Sequence, residues 1–219
     1  MQDDSNREIA SLIDHTILKA NASVEDIGRY CTEGLEFGFC SVVVNPIHVS
    51  RASQMLKGSE VGTTCVVGFP LGAELTAVKL KQTEMALHQG ADEIDVVIDL
   101  GAYVDGRYRD IETELAAIRR ASKGRILKVI IEASLLSDDG KIATSSMAAA
   151  AGADFVKTST GFSNGGATVH DVALIRKTVG PDIGVKASGG IRTRADAMQM
   201  LDAGANRIGT SVGPLLLRR

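Results

Sequence analysis

The sequence predicts a (β/α)₈ TIM barrel folded as a single domain. Three observations carry this. Eight short apolar runs alternate with seven amphipathic helical patterns along the 219 residues. Similar glycine corners recur where helices give way to strands. The internal charges fall at comparable positions in the strand-like runs, near the ends where a barrel gathers its chemistry.

The strand runs are read near 12–15, 39–44, 61–68, 92–99, 125–132, 154–158, 183–188 and 206–210. Helical patterns lie near 23–37, 46–57, 73–89, 107–122, 138–151, 168–179 and 193–203. Ser23 precedes Val-Glu-Asp and caps the first of these, with acids in its opening turn. Pro46 suits a first helical position, and Asp138, Thr168 and Thr193 are further caps. Gly90-Ala-Asp, Gly152-Ala-Asp and Gly204-Ala-Asn each close a helix with a left-handed residue and open the next strand. No linker interrupts the alternation, so residues 1–219 form one domain, with 1–10 a polar N-terminal segment and 212–219 a short C-terminal tail. After Ser211, Gly213 and Pro214 break what would be the eighth helix. The rival doubly wound sheet would show Gly-x-Gly-x-x-Gly after an early strand, and the sequence has none there.

Composition narrows the function classes. The chain is 44% hydrophobic, 23% charged and carries a net charge of −3. No dense Lys/Arg cluster favours a nucleic-acid partner, and no apolar run is long enough for a bilayer. The first eight residues lack the apolar core of a signal peptide, so the expected compartment is the cytoplasm. Cys31, Cys40 and Cys65 lack metal-ligand spacing and read as small core residues. His15, His48, His88 and His170 are scattered, so neither a catalytic metal nor another cofactor is expected. His15, beside Asp14, reads as an orienting or structural hydrogen-bond partner rather than a base.

Lys157, in Asp154-Phe-Val-Lys-Thr-Ser-Thr-Gly161, and Lys186, in Ile183-Gly-Val-Lys-Ala-Ser-Gly-Gly190, lie in short buried strands. Burial disfavours an ammonium, and a second ammonium nearby disfavours it further. A neutral amine attacks carbonyls, so the pair points to Schiff-base chemistry. Asp14, Asp95 and Lys128 occupy comparable strand positions, and isolated buried charges are too costly to stand alone. The five are expected to form one cluster in the barrel mouth. Alternation places Lys128 and Glu132 on one face. Glu93 begins its strand and is expected to be exposed, and Asp99 suits a turn or cap.

Ser188-Gly189-Gly190 and Gly209-Thr210-Ser211 follow the seventh and eighth strands, where barrels often bind phosphate through backbone N–H groups. Gly161-Phe-Ser-Asn-Gly-Gly166 follows Lys157 and reads either as a lid or as an inert loop.

These segments, together with Leu12-Ile-Asp-His-Thr-Ile-Leu-Lys19, Gly90-Ala-Asp-Glu-Ile-Asp-Val-Val97 and Leu127-Lys-Val-Ile-Ile-Glu132, resemble the deoxyribose-phosphate aldolases, a family of class I, Schiff-base, (β/α)₈ enzymes. The likeness spans almost the whole chain. It implies reversible cleavage of 2-deoxy-D-ribose 5-phosphate to acetaldehyde and D-glyceraldehyde 3-phosphate, in deoxyribose catabolism and without a metal. By resemblance Lys157 is the Schiff-base lysine. Lys186 depresses its pKa and shares in proton transfer, and Asp95 is the acid/base partner. Lys128 and Asp14 support them. Gly161, Gly189, Gly190, Gly209 and Ser211 fall where the family holds the substrate phosphate. The partners implied are small phosphosugars and aldehydes, and the frequent dimers of the family imply a homodimer.

Two departures stand out. Val212 replaces the second of two serines often found after the eighth strand. The chain also ends in Leu215-Leu-Leu-Arg-Arg219, without the C-terminal tyrosine of some members; either such a tail is unnecessary here, or the chain is truncated and less active. Another Schiff-base aldolase, a transaldolase-like enzyme and a non-catalytic phosphosugar-binding barrel are the alternatives.

Overall fold

The structure, a computed structural model, describes residues 4–218. Its centre is a closed barrel of parallel strands in chain order: β1 (Ile13–Ile17), β2 (Ser41–Val44), β3 (Gly62–Val67), β4 (Glu93–Val97), β5 (Ile126–Ile130), β6 (Phe155–Lys157), β7 (Gly184–Ser188) and β8 (Arg207–Thr210). The last strand pairs back onto the first, with Asp14 opposite Gly209. Closure removes both sheet edges and brings all eight strand ends to one face.

Around the barrel run α2 (Val24–Phe37), α3 (Val49–Leu56), α4 (Thr76–His88), α6 (Tyr108–Ala121), α7 (Asp138–Ala150), α8 (Val169–Val179) and α9 (Arg194–Asp202). These match the seven helical patterns, with Pro46–His48 forming a 3₁₀ turn before α3. Ser23 and Thr193 make capping boxes with Asp26 and Asp196. Thr168 accepts from the Asp171 N–H. The cap of α7 is Ser137, whose hydroxyl accepts from the Gly140 N–H at 3.2 Å. Asp138 therefore lies one residue inside its expected place, in the first turn, where its charge suits the helix dipole. Gly90, Gly152 and Gly204 have φ of +100°, +81° and +110°.

Among the described residues three α-helices fall outside those patterns, α1 (Asp4–Ala10), α5 (Leu100–Val104) and α10 (Gly213–Leu216), as does a 3₁₀ turn at Ala133–Leu135. Each spans seven residues or fewer, too short for an apolar period to show. Of the residues of α1 whose burial is described, 6–10, only Ile9 and Ala10 are buried. The carboxylate of Asp99 caps α5 through the Ala102 N–H at 2.9 Å, the cap role its position suggested. The tail forms the single turn α10 and buries Leu216 and Leu217.

The main core lies between the outward strand faces and the helices. Inside the barrel, Leu18, Val43 and Val66 form a separate small apolar cluster with Phe69. Alternation puts these on the faces shared with Asp14, Ser41 and Thr64. The interior is thus apolar toward the carboxyl ends of β1–β3, with Asp14, Ser41 and Thr64 nearer their starts, and forms a charged wall on β4–β8 that Asp14 joins from β1. Among the described residues no helix is long and apolar enough to cross a membrane.

Candidate active site

The parallel register assembles the charged wall. Asp95 on β4 is opposite Lys128 on β5, Ile130 is opposite Lys157 on β6, and Lys157 is opposite Lys186 on β7. Asp95 is the hub. Its Oδ1 accepts from Lys128 Nζ at 2.7 Å, and its Oδ2 accepts from Lys157 Nζ at 2.9 Å and Lys186 Nζ at 2.8 Å. Asp14 pairs with Lys186, lies 3.6 Å from Lys128 and accepts from Ser41 at 2.7 Å. The structure therefore brings together all five charged residues singled out in the sequence.

Burial alone would raise the carboxylate pKa values. The surrounding cations outweigh it and hold Asp95 and Asp14 below the ordinary range, Lys128 acting most strongly on Asp95 and Lys186 on Asp14. Burial would likewise lower Lys128, but Asp95, Asp14 and Glu93 hold it above the usual lysine value. Lys157 goes the other way. Burial first, and then the Lys186 ammonium, bring its amine down to about 8 against the opposing pull of Asp95. Desolvation is thus the larger influence, and the second lysine reinforces it.

A cavity of about 480 Å³ opens over these strand ends. Of the strand lysines 128, 157 and 186, only Lys157 lines it. Gly161, Gly189, Gly190, Gly209 and Ser211 all line it as well. Gly189 has φ +88°, and a Cβ on Gly166 would sit 2.3 Å from the Gly189 carbonyl oxygen, so the two loops touch backbone to backbone. The Ala167 N–H reaches Ser188 O and Gly189 O, both at 3.0 Å. The far end of the 161–166 loop is therefore pinned to the glycine turn after β7. Val212, beyond Ser211, packs against the core.

Several placements differ from the sequence reading. Glu93, expected exposed, is 5% exposed; it pairs with Lys128 and accepts from Thr64 at 3.1 Å. Barrel closure turns the start of β4 inward, where Lys128 compensates the charge. His15 is the hydrogen-bond partner its position suggested, but of Glu33 at 2.6 Å: it faces away from Asp14, as neighbours on a strand must, and stacks on Tyr30. Burial lowers its pKa. Glu132 leaves the Lys128 face because β5 ends at Ile130 and Glu132 has φ +48°. Its carboxylate accepts from the N–H of Thr160 at 3.2 Å and from its hydroxyl. Thr160 in turn lines the cavity.

Sequence reasoning missed Arg207, at the start of β8, which donates to Asp14 at 2.8 Å and lies 3.4 Å from Glu93. It also missed Lys19, Tyr30 and Arg192 as cavity-lining residues. Arg192 directly follows the Gly-Gly turn, a signal available in the sequence. Outside the cavity, Asp138, His170 and Asp171 bring possible metal-ligand atoms within 4.8 Å of one another. Lys141 already sits among them, 3.0 Å from Asp138 and 2.6 Å from Asp171.

The closed parallel barrel, with its chemistry gathered at the carboxyl ends of the strands, defines a (β/α)₈-barrel enzyme. The chain belongs to the DeoC/LacD family of aldolases, which residues 9–218 match. It is 54% identical over 204 residues to a deoxyribose-phosphate aldolase of Coprothermobacter proteolyticus, covering 93% of each chain. Identity to the deoxyribose-phosphate aldolase of Lysinibacillus sphaericus is 50% over 212 residues, covering 96% of this chain and 95% of that one. The tetrameric deoxyribose phosphate aldolase of Aeropyrum pernix superposes with a TM-score of 0.89 at 35% identity, covering 99% and 92% of the two chains. The protein is thus an aldolase, a carbon–carbon lyase.

Proposed function

We propose that this aldolase reversibly cleaves 2-deoxy-D-ribose 5-phosphate to acetaldehyde and D-glyceraldehyde 3-phosphate through a Schiff base on Lys157. The observation that carries the reading is Lys157 itself, the strand lysine that lines the cavity and whose amine is held at about 8. At pH 7 roughly one such amine in ten is neutral, against about one in three thousand for an ordinary lysine. That amine attacks the C1 aldehyde of the open-chain sugar, and loss of water gives a protonated imine. The imine accepts the electrons of the C2–C3 bond as the C3 hydroxyl loses its proton. Glyceraldehyde 3-phosphate departs, leaving the enamine of acetaldehyde. Protonation at C2 and hydrolysis release the second product and restore the amine.

Asp95 and Lys186 share a 2.8 Å hydrogen bond beside Lys157 and form the acid/base pair for these transfers. Lys128 and Asp14 fix that pair in place. The substrate phosphate is held in the same cavity by backbone N–H groups around Gly161, Gly189, Gly190, Gly209 and Ser211, all of which line it. Lys19 and Arg192 add positive charge at the rim. The reaction as drawn balances without a metal or cofactor. We further propose a cytoplasmic homodimer, supported by the habit of the family.

Trapping tests the mechanism. Incubation with acetaldehyde, reduction with borohydride and peptide mass spectrometry should give one major adduct, on Lys157. An unmodified protein, or adducts on surface lysines alone, would sink the Schiff-base reading and favour a non-catalytic phosphosugar-binding barrel.

A further inference from the structure

The charged cluster continues below Asp95 toward the starts of the strands. Glu93 precedes Asp95 by two residues on β4 and shares its inward face. Arg207, across from Lys186 in the β7–β8 register, reaches Asp14 at 2.8 Å and Glu93 at 3.4 Å. Its guanidinium also lies 5.2 Å from the centre of the Phe155 ring. The result is one connected network. Among the described residues it holds four cations, Lys128, Lys157, Lys186 and Arg207, against three carboxylates, Asp14, Glu93 and Asp95. Arg207 stays charged at any working pH. The neighbouring Cys40 thiol, raised to about 11 by burial and by Asp14, is uncharged at neutral pH. Ser41 and Thr64 contribute neutral hydroxyls.

Three carboxylates balance three cations, so one cation is in surplus. Among the described residues Lys157 pairs with a single carboxylate, Asp95, whose Oδ2 it shares with Lys186, whereas Lys128, Lys186 and Arg207 each pair with two or more. It is also the strand lysine that meets the cavity. Deprotonating Lys157 brings the network to neutrality, whereas deprotonating Lys128 would break its pairings with Glu93 and Asp95. Glu93 and Arg207 pair with Lys128, Asp14 and each other, and the ion pair of Lys157 runs to Asp95.

We propose that Glu93 and Arg207 are positioning residues for the nucleophile, a buried ion pair at the base of the barrel that sets the net charge Lys157 experiences. The inference rests on reading Lys157 as the Schiff-base lysine. It differs from a purely structural strut in one respect: the two members act with opposite sign. Glu93→Gln removes an anion, adds to the surplus of positive charge and favours the neutral amine. Arg207→Gln removes a cation and favours the ammonium.

The test is the pH dependence of the initial rate of Lys157 adduct formation with acetaldehyde, quenched with borohydride and read by peptide mass spectrometry. Relative to the wild-type midpoint, Glu93→Gln should shift down and Arg207→Gln up, each by about half a pH unit or more. The double variant should return near the wild type, and Arg207→Lys, which keeps the charge, should shift less than Arg207→Gln. Wild-type protein without a Lys157 adduct would overturn the Schiff-base reading itself. A wild-type adduct whose midpoint stays fixed in both variants, or moves the same way in both, would overturn this inference alone. If Arg207→Gln does not fold, the sign of the shift in isosteric Glu93→Gln decides.

Discussion

At the scale of single residues, the site sets reactivity against stability. Lys157 is buried in a cluster that already holds a surplus of positive charge, and its amine titrates near 8 rather than 10.5. An unfolded chain would hold that proton more tightly. Keeping Lys157 at neutral pH therefore costs the fold on the order of 3 kcal/mol. Lys157→Met keeps the length of the side chain and removes the ionisable group. It should abolish turnover yet raise the urea midpoint at pH 7, by an amount worth up to about 3 kcal/mol. A variant less stable than the wild type would show that the Asp95 hydrogen bond outweighs desolvation at this lysine. Glu132 is a second residue under constraint. Its left-handed backbone costs about 1–3 kcal/mol and turns its carboxylate onto Thr160 at the cavity wall.

Among the elements, the strands and main helices were legible from the alternation of apolar runs and helical patterns, and α2, α8 and α9 also from their own caps, whereas α3, α4 and α6 begin without a side-chain cap. Ser23, Thr168 and Thr193 act locally, so their sequences suffice to place them. The short helices α1, α5 and α10 were not legible, since tertiary contacts of a few side chains hold them. Nor was the Lys79–Glu114 pair, which joins α4 to α6 across 35 residues of sequence. Lys79 is fully buried; its Nζ meets Glu114 at 2.6 Å and the Val97 carbonyl, at the end of β4, at 2.9 Å. A lysine on a helix reads as solvent-facing unless its buried partner is known. Removing one member of such a pair strands the other charge. Lys79→Met should thus destabilise the protein by about 3–5 kcal/mol, while Lys79→Met with Glu114→Leu should recover much of that loss. Denaturant midpoints of the single and double variants measure both. Equal losses in the two would mean that packing, not charge, holds α4 against the barrel.

For the whole molecule, alternation along single strands revealed Asp14, Asp95, Lys128, Lys157 and Lys186, because strand interiors rarely carry charge. Glu93 and Arg207 escaped because they begin their strands, where charges are ordinarily solvated; only the closed register turns them inward. The complete network gives the fold a characteristic dependence on pH. Asp14 and Asp95 have depressed pKa values in the folded state, so their stabilisation is complete above about pH 4 and is lost as pH falls through those lower values. Lys157 has the reverse sense among bases. Between about 8 and 10.5 the unfolded chain binds its proton and the folded protein does not, so stability rises with pH across that window. Lys128, raised when folded, stabilises below the ordinary lysine pKa and withdraws that contribution above it. Urea midpoints measured from pH 3 to 11 should therefore climb from pH 3 to above 4, rise further toward about pH 6.5 because the folded protein holds His15 neutral where the unfolded chain protonates it, level off, and climb again between 8 and 10 before falling. Subtracting the Lys157→Met profile isolates the second climb from the titration of cysteines and tyrosines elsewhere. If the difference between the two profiles stays flat from pH 8 to 10, Lys157 does not change charge in that range, and its reactivity must come from placement beside Asp95 rather than from a lowered pKa.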